Sequence, residues 1–141
     1  MKVVIVGAGE VGSTIAESLA PTHEVIVVDI DSDKVESLTY SIDVLPVEGD
    51  GSEVEVLEEA GVGDADMLIA STDDDETNVV TCGVAKVLGD PFTIARTKSP
   101  KYLKAWERGK RAFGVDFMVC TDLLTAEAIV GLAGLPTAQD V

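Results

Sequence analysis

A glycine-rich turn near the amino terminus constrains the fold of this chain more than any other feature. Residues 3–6 (VVIV) are all β-branched, as is typical of a buried strand, and GAGEVG follows directly at residues 7–12. In such a strand–turn–helix unit Gly7 permits the tight turn, Gly9 leaves the backbone open to a phosphate, and Gly12 lets the helix pack closely on the sheet. Because the N–H groups at a helix start favour an anion, the pattern predicts a phosphate-binding loop.

The rest of the chain repeats this alternation of short apolar runs with longer amphipathic stretches. The runs predict six strands, at residues 3–6, 24–29, 44–47, 67–71, 92–96 and 115–120. The stretches predict helices at residues 11–20, 31–41, 52–60, 74–88, 100–108 and 121–132. This order indicates one α/β domain with a doubly wound Rossmann fold, a six-stranded parallel sheet in the order 3-2-1-4-5-6. Pro46 predicts an edge position for the third strand, and Ser52 with Glu55 has the spacing of a capping box.

A carboxylate ends the second predicted strand, where dinucleotide-binding domains hold the adenosine ribose. Asp29 closes the run EVIVVD, about 20 residues beyond the glycine turn. A carboxylate there accepts hydrogen bonds from ribose hydroxyls and repels a 2′-phosphate, which favours NAD(H) or an unphosphorylated adenosine nucleotide over NADP. Glu10 adds a negative charge at the mouth of the loop. It either points to solvent or weakens the binding of polyphosphates, and for that reason we favour NAD(H) over ATP or ADP.

Polar residues also follow the next three predicted strands, at the edge of the sheet where ligands of such folds bind. They are Gly49, Asp50 and Gly51 at the end of the third strand, Ser71, Thr72 and Asp73 at the end of the fourth, and Arg96, Thr97 and Lys98 at the end of the fifth. Thr72 is suited to donate to a ribose or a phosphate. Arg96 is suited to pair with a phosphate, or with a carboxylate across an interface. Ordinary turn chemistry at strand ends is the alternative for all of them.

The charge balance narrows the range of partners. The chain has 26 acidic and 10 basic residues, a formal net charge of −16, which disfavours nucleic acid and anionic lipid. Adaptation to high salt is our preferred explanation, because the acids are spread along the whole chain, and an acidic face for a cation or a basic partner is the alternative. Basic residues instead cluster between residues 96 and 111. That cluster is either a solvated helix face or a docking surface for anions or an acidic neighbour.

Neither a metal site nor a catalytic group is indicated. Cys82 and Cys120 lack metal-ligand spacing, and His23 is the single histidine, so we expect both cysteines to be small buried apolar side chains. No apolar run approaches the ~18 residues of a membrane span, and no secretory signal is seen, so we expect a cytoplasmic chain. No residue stands out as a general base or nucleophile, which favours binding over catalysis. The alternative is the cofactor-binding domain of an NAD-dependent dehydrogenase.

Several segments together resemble the TrkA family of potassium-uptake regulatory subunits, whose nucleotide-binding part is the RCK (or KTN) N-terminal domain. They are MKVVIVGAGEVG at residues 1–12, VVD at 27–29, EGDGS at 48–52, ADMLIASTDDDETNVV at 65–80 and IARTKSPKYL at 94–103. The resemblance implies a domain over residues 1–132, with a crossover helix at 121–132 that packs against a second copy. Residues 133–141 would be a tail or the start of a linker to a C-terminal subdomain.

The resemblance also implies a function and a set of binding residues. Members of the family are not enzymes; they form dimers or larger rings on the cytoplasmic face of a potassium-translocating membrane subunit. Nucleotide identity shifts the ring between conformations, and NAD(H) is expected here, with ATP or ADP as the alternative. The residues expected to hold the nucleotide are Gly7, Ala8, Gly9, Glu10, Val11, Gly12, Asp29, Ile30, Asp50, Gly51, Thr72, Asp73 and Arg96.

Overall fold

The computed structural model of this protein describes residues 1–109, 112–120 and 124–134, and six strands alternate with helices along them. The strands are β1 (Lys2–Val6), β2 (Glu24–Asp29), β3 (Leu45–Glu48), β4 (Met67–Ala70), β5 (Phe92–Arg96) and β6 (Phe117–Val119). The helices are α1 (Glu10–Leu19), α2 (Ser32–Thr39), α3 (Val54–Glu59), α4 (Asp75–Leu88), α5 (Pro100–Arg108) and α6 (Leu124–Ala133). Short 3₁₀ turns at Val62–Asp64 and Ala112–Gly114 precede β4 and β6.

All neighbouring strands pair in parallel, in the order β3-β2-β1-β4-β5-β6. The predicted fold and strand order are confirmed. β3 lies at the edge of the sheet, and its Pro46 is paired with Val27 of β2. Because no strand lies on the other side of β3, the N–H that proline lacks is not needed for a second ladder. Chain order runs outward in opposite directions from the middle of the sheet, from β1 to β3 on one side and from β4 to β6 on the other. The loops that follow β1 and β4 therefore diverge and leave a crevice at the carboxyl edge of the sheet.

Apolar side chains of the strands alternate between two cores, one on each face of the sheet. Helices α1, α2 and α6 cover the first core, in which Ile5 and Ile15 are fully buried. Helices α3, α4 and α5 cover the second core, in which Leu57 and Leu68 are fully buried. Because both faces are covered, the central strands are continuous apolar runs rather than alternating ones.

The start of α3 differs from the prediction. Ser52 does not cap this helix; its hydroxyl donates to Asp50 Oδ1 at 2.7 Å, and its backbone N–H donates to the same oxygen at 2.9 Å. The helix begins at Val54, and no side chain in the described part of the chain caps it. The capping box expected from Ser52 and Glu55 was therefore wrong, because the Asp50 carboxylate competes successfully for the serine hydroxyl.

Helix α6 packs on its own chain. Ile129 and Ala133 are buried in the first core, beside residues of α1 such as Ile15. The helix extends one residue beyond its expected end at 132, while residues 121–123 and the expected tail from 135 onward lie outside the described residues. No helix within the described ranges is long and apolar enough to cross a membrane.

Candidate nucleotide-binding cleft

The glycine loop connects β1 to α1, and its three glycines have different surroundings. Gly7 has a φ of +110°, and a β-carbon on it would lie 2.9 Å from the backbone nitrogen of Thr72. A β-carbon on Gly12 would collide with the carbonyl oxygen of Gly7. A β-carbon on Gly9 would meet no atom within 4 Å. The fold therefore requires glycine at positions 7 and 12, whereas Gly9 borders open space.

The N-terminus of α1 faces that space without a side-chain cap. Gly9 occupies the capping position, and no side chain among the described residues caps the helix. The first N–H groups of a helix have no intrahelical partner, so they are available to an anion. Glu10 is exposed and lines the same cleft as Gly9 and Val11.

Asp29 is held against the glycine loop by two backbone amides. Its Oδ2 accepts a hydrogen bond from the N–H of Ala8 at 2.7 Å, and its Oδ1 accepts one from the N–H of Asp31 at 2.8 Å. These bonds fix the carboxylate at the carboxyl end of β2. Because a carboxylate can accept about four hydrogen bonds, both oxygens can still accept from hydroxyl groups of a ligand.

Two adjoining clefts open at the carboxyl edge of the sheet. The first cleft, about 370 Å³, is lined by Gly9, Glu10, Val11, Lys34, Ser71, Thr72, Asp73 and Arg96. The second cleft, about 350 Å³, is lined by Val6, Gly7, Val28, Asp29, Ile30, Gly49, Asp50, Gly51, Thr72, Asp73, Asp74 and Thr77. Thr72 and Asp73 border both clefts. Every binding residue expected from the sequence lines one of them except Ala8 and Gly12, which support the glycine loop instead.

The first residues of α4 hold together the loops that follow β4 and β5. Asn78 is fully buried; its Oδ1 accepts from the N–H and hydroxyl of Thr72, at 2.9 and 2.7 Å. Its Nδ2 donates to the carbonyl oxygens of Thr72 and Arg96, at 3.0 and 2.7 Å. The Asp75 carboxylate accepts from the backbone amides of residues 98 and 99, both at 2.8 Å. These bonds fix the floor of the first cleft.

Arg96 supplies a buried positive charge beneath the first cleft, where it is 7% exposed. Its Nη1 lies 3.5 and 3.3 Å from the carbonyl oxygens of Ser71 and Thr72, and 3.5 Å from Asp73 Oδ1. Its Nε is buried and has no hydrogen-bond partner among the described residues. All of these contacts are longer than the ~2.7–2.9 Å typical of a charge-assisted hydrogen bond. The guanidinium therefore retains the capacity to bind an anion.

Asp73 is the carboxylate nearest to this charge. Its Oδ1 lies 3.4 Å from Lys98 Nζ as well as 3.5 Å from Arg96 Nη1. The charge and hydrogen bond of Lys98, with a smaller contribution from Arg96, lower the pKa of Asp73 below its ordinary value. The pKa of Asp50, in the second cleft, is also lowered, because the hydroxyl and N–H of Ser52 both donate to it. Both carboxylates are therefore charged near neutral pH.

Sequence reasoning assigned no role to three residues that shape the first cleft. Lys34 lines this cleft, and Asp75 and Asn78 hold its floor. Asn78 left a signal, since it occupies an inward-facing position of α4 at helical spacing from Cys82. A polar residue on a buried helix face needs hydrogen-bond partners, so a role in fixing neighbouring loops was inferable. No sequence pattern distinguishes Lys34 from an ordinary exposed lysine.

Comparison with known proteins gives this site a family context. A family model described as the TrkA-N domain matches residues 3–121. The Trk system potassium uptake protein trkA homolog 1 of Methanosarcina mazei is 37% identical over 147 residues, covering 99% of this chain and 36% of that protein. The Trk system potassium uptake protein TrkA of Vibrio alginolyticus is 39% identical over 145 residues, covering 100% of this chain and 32% of that protein. The chain thus spans about a third of the length of these relatives.

Solved structures share the fold. The TrkA-N domain of the inner membrane protein ybaL from Escherichia coli superposes with a TM-score of 0.76 at 22% identity, covering 93% of this chain and 95% of that one. The GsuK channel bound to NAD superposes with a TM-score of 0.72 at 24% identity, covering 84% of this chain and 21% of that one. Since the family model matches most of the sequence and the fold agrees with it, this chain belongs to the TrkA-N domain family.

Proposed function

We propose that this domain binds an adenine nucleotide across the two clefts and serves as the sensing part of a potassium-uptake regulator. The observation that supports the nucleotide most directly is the combination at the glycine loop. Open space at Gly9, an uncapped helix N-terminus and a carboxylate fixed at Asp29 lie side by side. Backbone amides and a helix dipole suit a diphosphate, and a carboxylate beside them suits a ribose.

The two clefts suggest a division of the ligand. We assign the adenosine to the second cleft, where Asp29 accepts from the ribose and Ile30 and residues 49–51 border the base. We assign the phosphates to the first cleft, with the amides of residues 9–11 and the Arg96 guanidinium as their partners. The Nε of Arg96 is buried and has no hydrogen-bond partner in the described part of the chain. This unpaired donor supports a phosphate beside Arg96.

NAD(H) is the ligand we favour. The first cleft, at about 370 Å³, is as large as the second and therefore has room for more than a phosphate. Structural neighbours support a nucleotide in general, since GsuK structures are described as bound to NAD and to ADP. ADP and ATP remain the alternatives to be measured against NAD(H).

The regulatory part of the proposal follows from the relatives. Proteins 36–39% identical to this chain are named potassium uptake proteins. We propose that two or more copies associate, with α6 as the crossover helix, on the cytoplasmic face of a potassium-translocating membrane subunit. In this role the domain performs no reaction. The nucleotide acts by binding one conformation of the assembly more tightly than another.

A binding panel tests the nucleotide part. Calorimetry with NAD⁺, NADH, NADP⁺, ATP and ADP should detect binding, and a ligand at 100 times its Kd should stabilise the fold by about 2.7 kcal/mol. Gly9→Ala is the matched variant, because its new methyl group meets no protein atom and protrudes into the space assigned to phosphate. We expect the variant to fold, with stability lowered by no more than the ~1 kcal/mol that alanine costs at a helix N-cap, and to bind nucleotide clearly more weakly. Absence of binding to all five nucleotides, or wild-type affinity in Gly9→Ala, contradicts the proposal.

Two further measurements test the biological role. A chimera in which this chain replaces the matching segment of the Vibrio alginolyticus protein should restore potassium uptake to cells that lack that protein. The same chimera with Gly9→Ala should respond less to nucleotide supply. Turnover of NADH with simple carbonyl substrates would instead favour a dehydrogenase.

A further inference from the structure

We infer that Asp73 is a specificity-determining residue of the nucleotide site, acting as an internal anion that selects against highly charged ligands. The inference rests on the proposed nucleotide function and deepens it. It concerns the first cleft, where the Asp73 carboxylate of the lining lies 3.5 Å from Arg96 Nη1 and 3.4 Å from Lys98 Nζ.

Arg96 is the group that needs an anion. A guanidinium has five N–H donors, and burial makes unsatisfied donors costly. In the described residues its contacts are long, its Nε has no partner, and Asp73 is its one carboxylate neighbour. Arg96 also lines the first cleft, so the unsatisfied guanidinium borders the space assigned to the phosphates.

Asp73 can serve as that anion and can also be displaced. Its side chain is 87% exposed, and the described structure gives it no role in packing. It lines both clefts, so it lies between the positions assigned to adenosine and to phosphate. Its neighbour in sequence, Asp74, is anchored differently, since its carboxylate accepts from Thr77 at the start of α4. Asp73 is therefore free to yield its position beside Arg96, whereas Asp74 is committed to the helix.

The consequence is a preference set by charge. A phosphate that binds Arg96 must either displace the Asp73 carboxylate or share the two cations with it. The repulsion grows with the charge of the ligand, so it penalises ATP, with about four negative charges, more than the two-charge diphosphate of NAD. Removing the carboxylate charge should therefore improve ATP binding relative to NAD by roughly tenfold at low salt.

Calorimetry of the full chain with AMP, ADP, ATP and NAD⁺ in metal-free, low-salt buffer tests the inference. Asp73→Asn removes the charge and nearly keeps the shape, whereas Asp73→Glu keeps the charge. Asp43→Asn is the control for net charge. Asp43 is exposed and precedes β3, so it lies near the amino ends of the strands, whereas both clefts lie at their carboxyl ends. Thermal unfolding without ligand shows that each variant folds.

We expect the affinity gain of Asp73→Asn to increase from AMP to ADP to ATP, with Asp73→Glu and Asp43→Asn close to wild type. An unchanged ratio of ATP to NAD⁺ affinity in Asp73→Asn overturns the inference, as does an equal change in Asp43→Asn. Weaker binding of all four nucleotides to Asp73→Asn also overturns it, because the carboxylate would then contact the ligand directly. If wild type and Asp73→Asn bind none of the four, the proposed function fails together with it.

Discussion

Replacing Asn78 with alanine should destabilise the domain by about 3 kcal/mol and loosen the nucleotide site at the same time. The side chain is fully buried and makes four hydrogen bonds, three with Thr72 and one with the carbonyl oxygen of Arg96. At about 1 kcal/mol for each bond, the upper end of the loss is near 4 kcal/mol. Thr72 is partly exposed and can regain water, whereas Arg96 is buried and its carbonyl oxygen loses the hydrogen bond that Asn78 supplies.

Urea unfolding followed by circular dichroism measures this change. A loss of about 3 kcal/mol is a large part of the 5–15 kcal/mol typical of a domain, so the midpoint should fall clearly at an unchanged m-value. Val87→Ala is the control on the same helix, since Val87 is 80% exposed and its truncation should change stability by less than about 0.5 kcal/mol. If Asn78→Ala loses less than about 1 kcal/mol, these four bonds do not hold the two loops together.

Three further predictions follow from the same structure. Gly12→Ala should destabilise the fold by about 1–3 kcal/mol or more, because its β-carbon would collide with the carbonyl oxygen of Gly7. An unfolding midpoint equal to that of the wild type would contradict this. Asp29→Ala should weaken NAD(H) binding by about tenfold or more while NADP⁺ loses less, as measured by calorimetry; unchanged affinity for both cofactors would mean that Asp29 does not hold the ribose. Cys82 is buried as expected, whereas Cys120 is partly exposed, so the expectation of burial was wrong for Cys120. Cys120 should therefore react with iodoacetamide while Cys82 should not, because burial and the nearby Asp116 raise the pKa of Cys82 and the fold excludes the reagent. Mass spectrometry after brief labelling measures the two sites, and equal labelling would refute that difference.

The fold was predictable because its signals are local. The GAGEVG turn, the apolar runs and the amphipathic stretches each report on a few consecutive residues. The right-handed crossover rule then leaves few ways to connect six parallel strands. Pro46 located the edge strand by the same kind of argument, since proline lacks the N–H that an inner strand would need. The helix start at Ser52 failed because two local patterns, a capping box and a turn around Asp50, compete for one hydroxyl.

The sequence by itself determined which segments meet at the carboxyl edge of the sheet, because strand order follows from the alternation of strands and helices. Only the tertiary structure decided how the side chains there divide their tasks. Asn78 holds the Thr72 loop to the Arg96 backbone, and Asp73 lies between Arg96 and Lys98. Lys34 reaches the first cleft from a different helix. These residues are far apart in sequence or follow no periodic pattern, so the packing of the loops, rather than any motif, determines which of them pair.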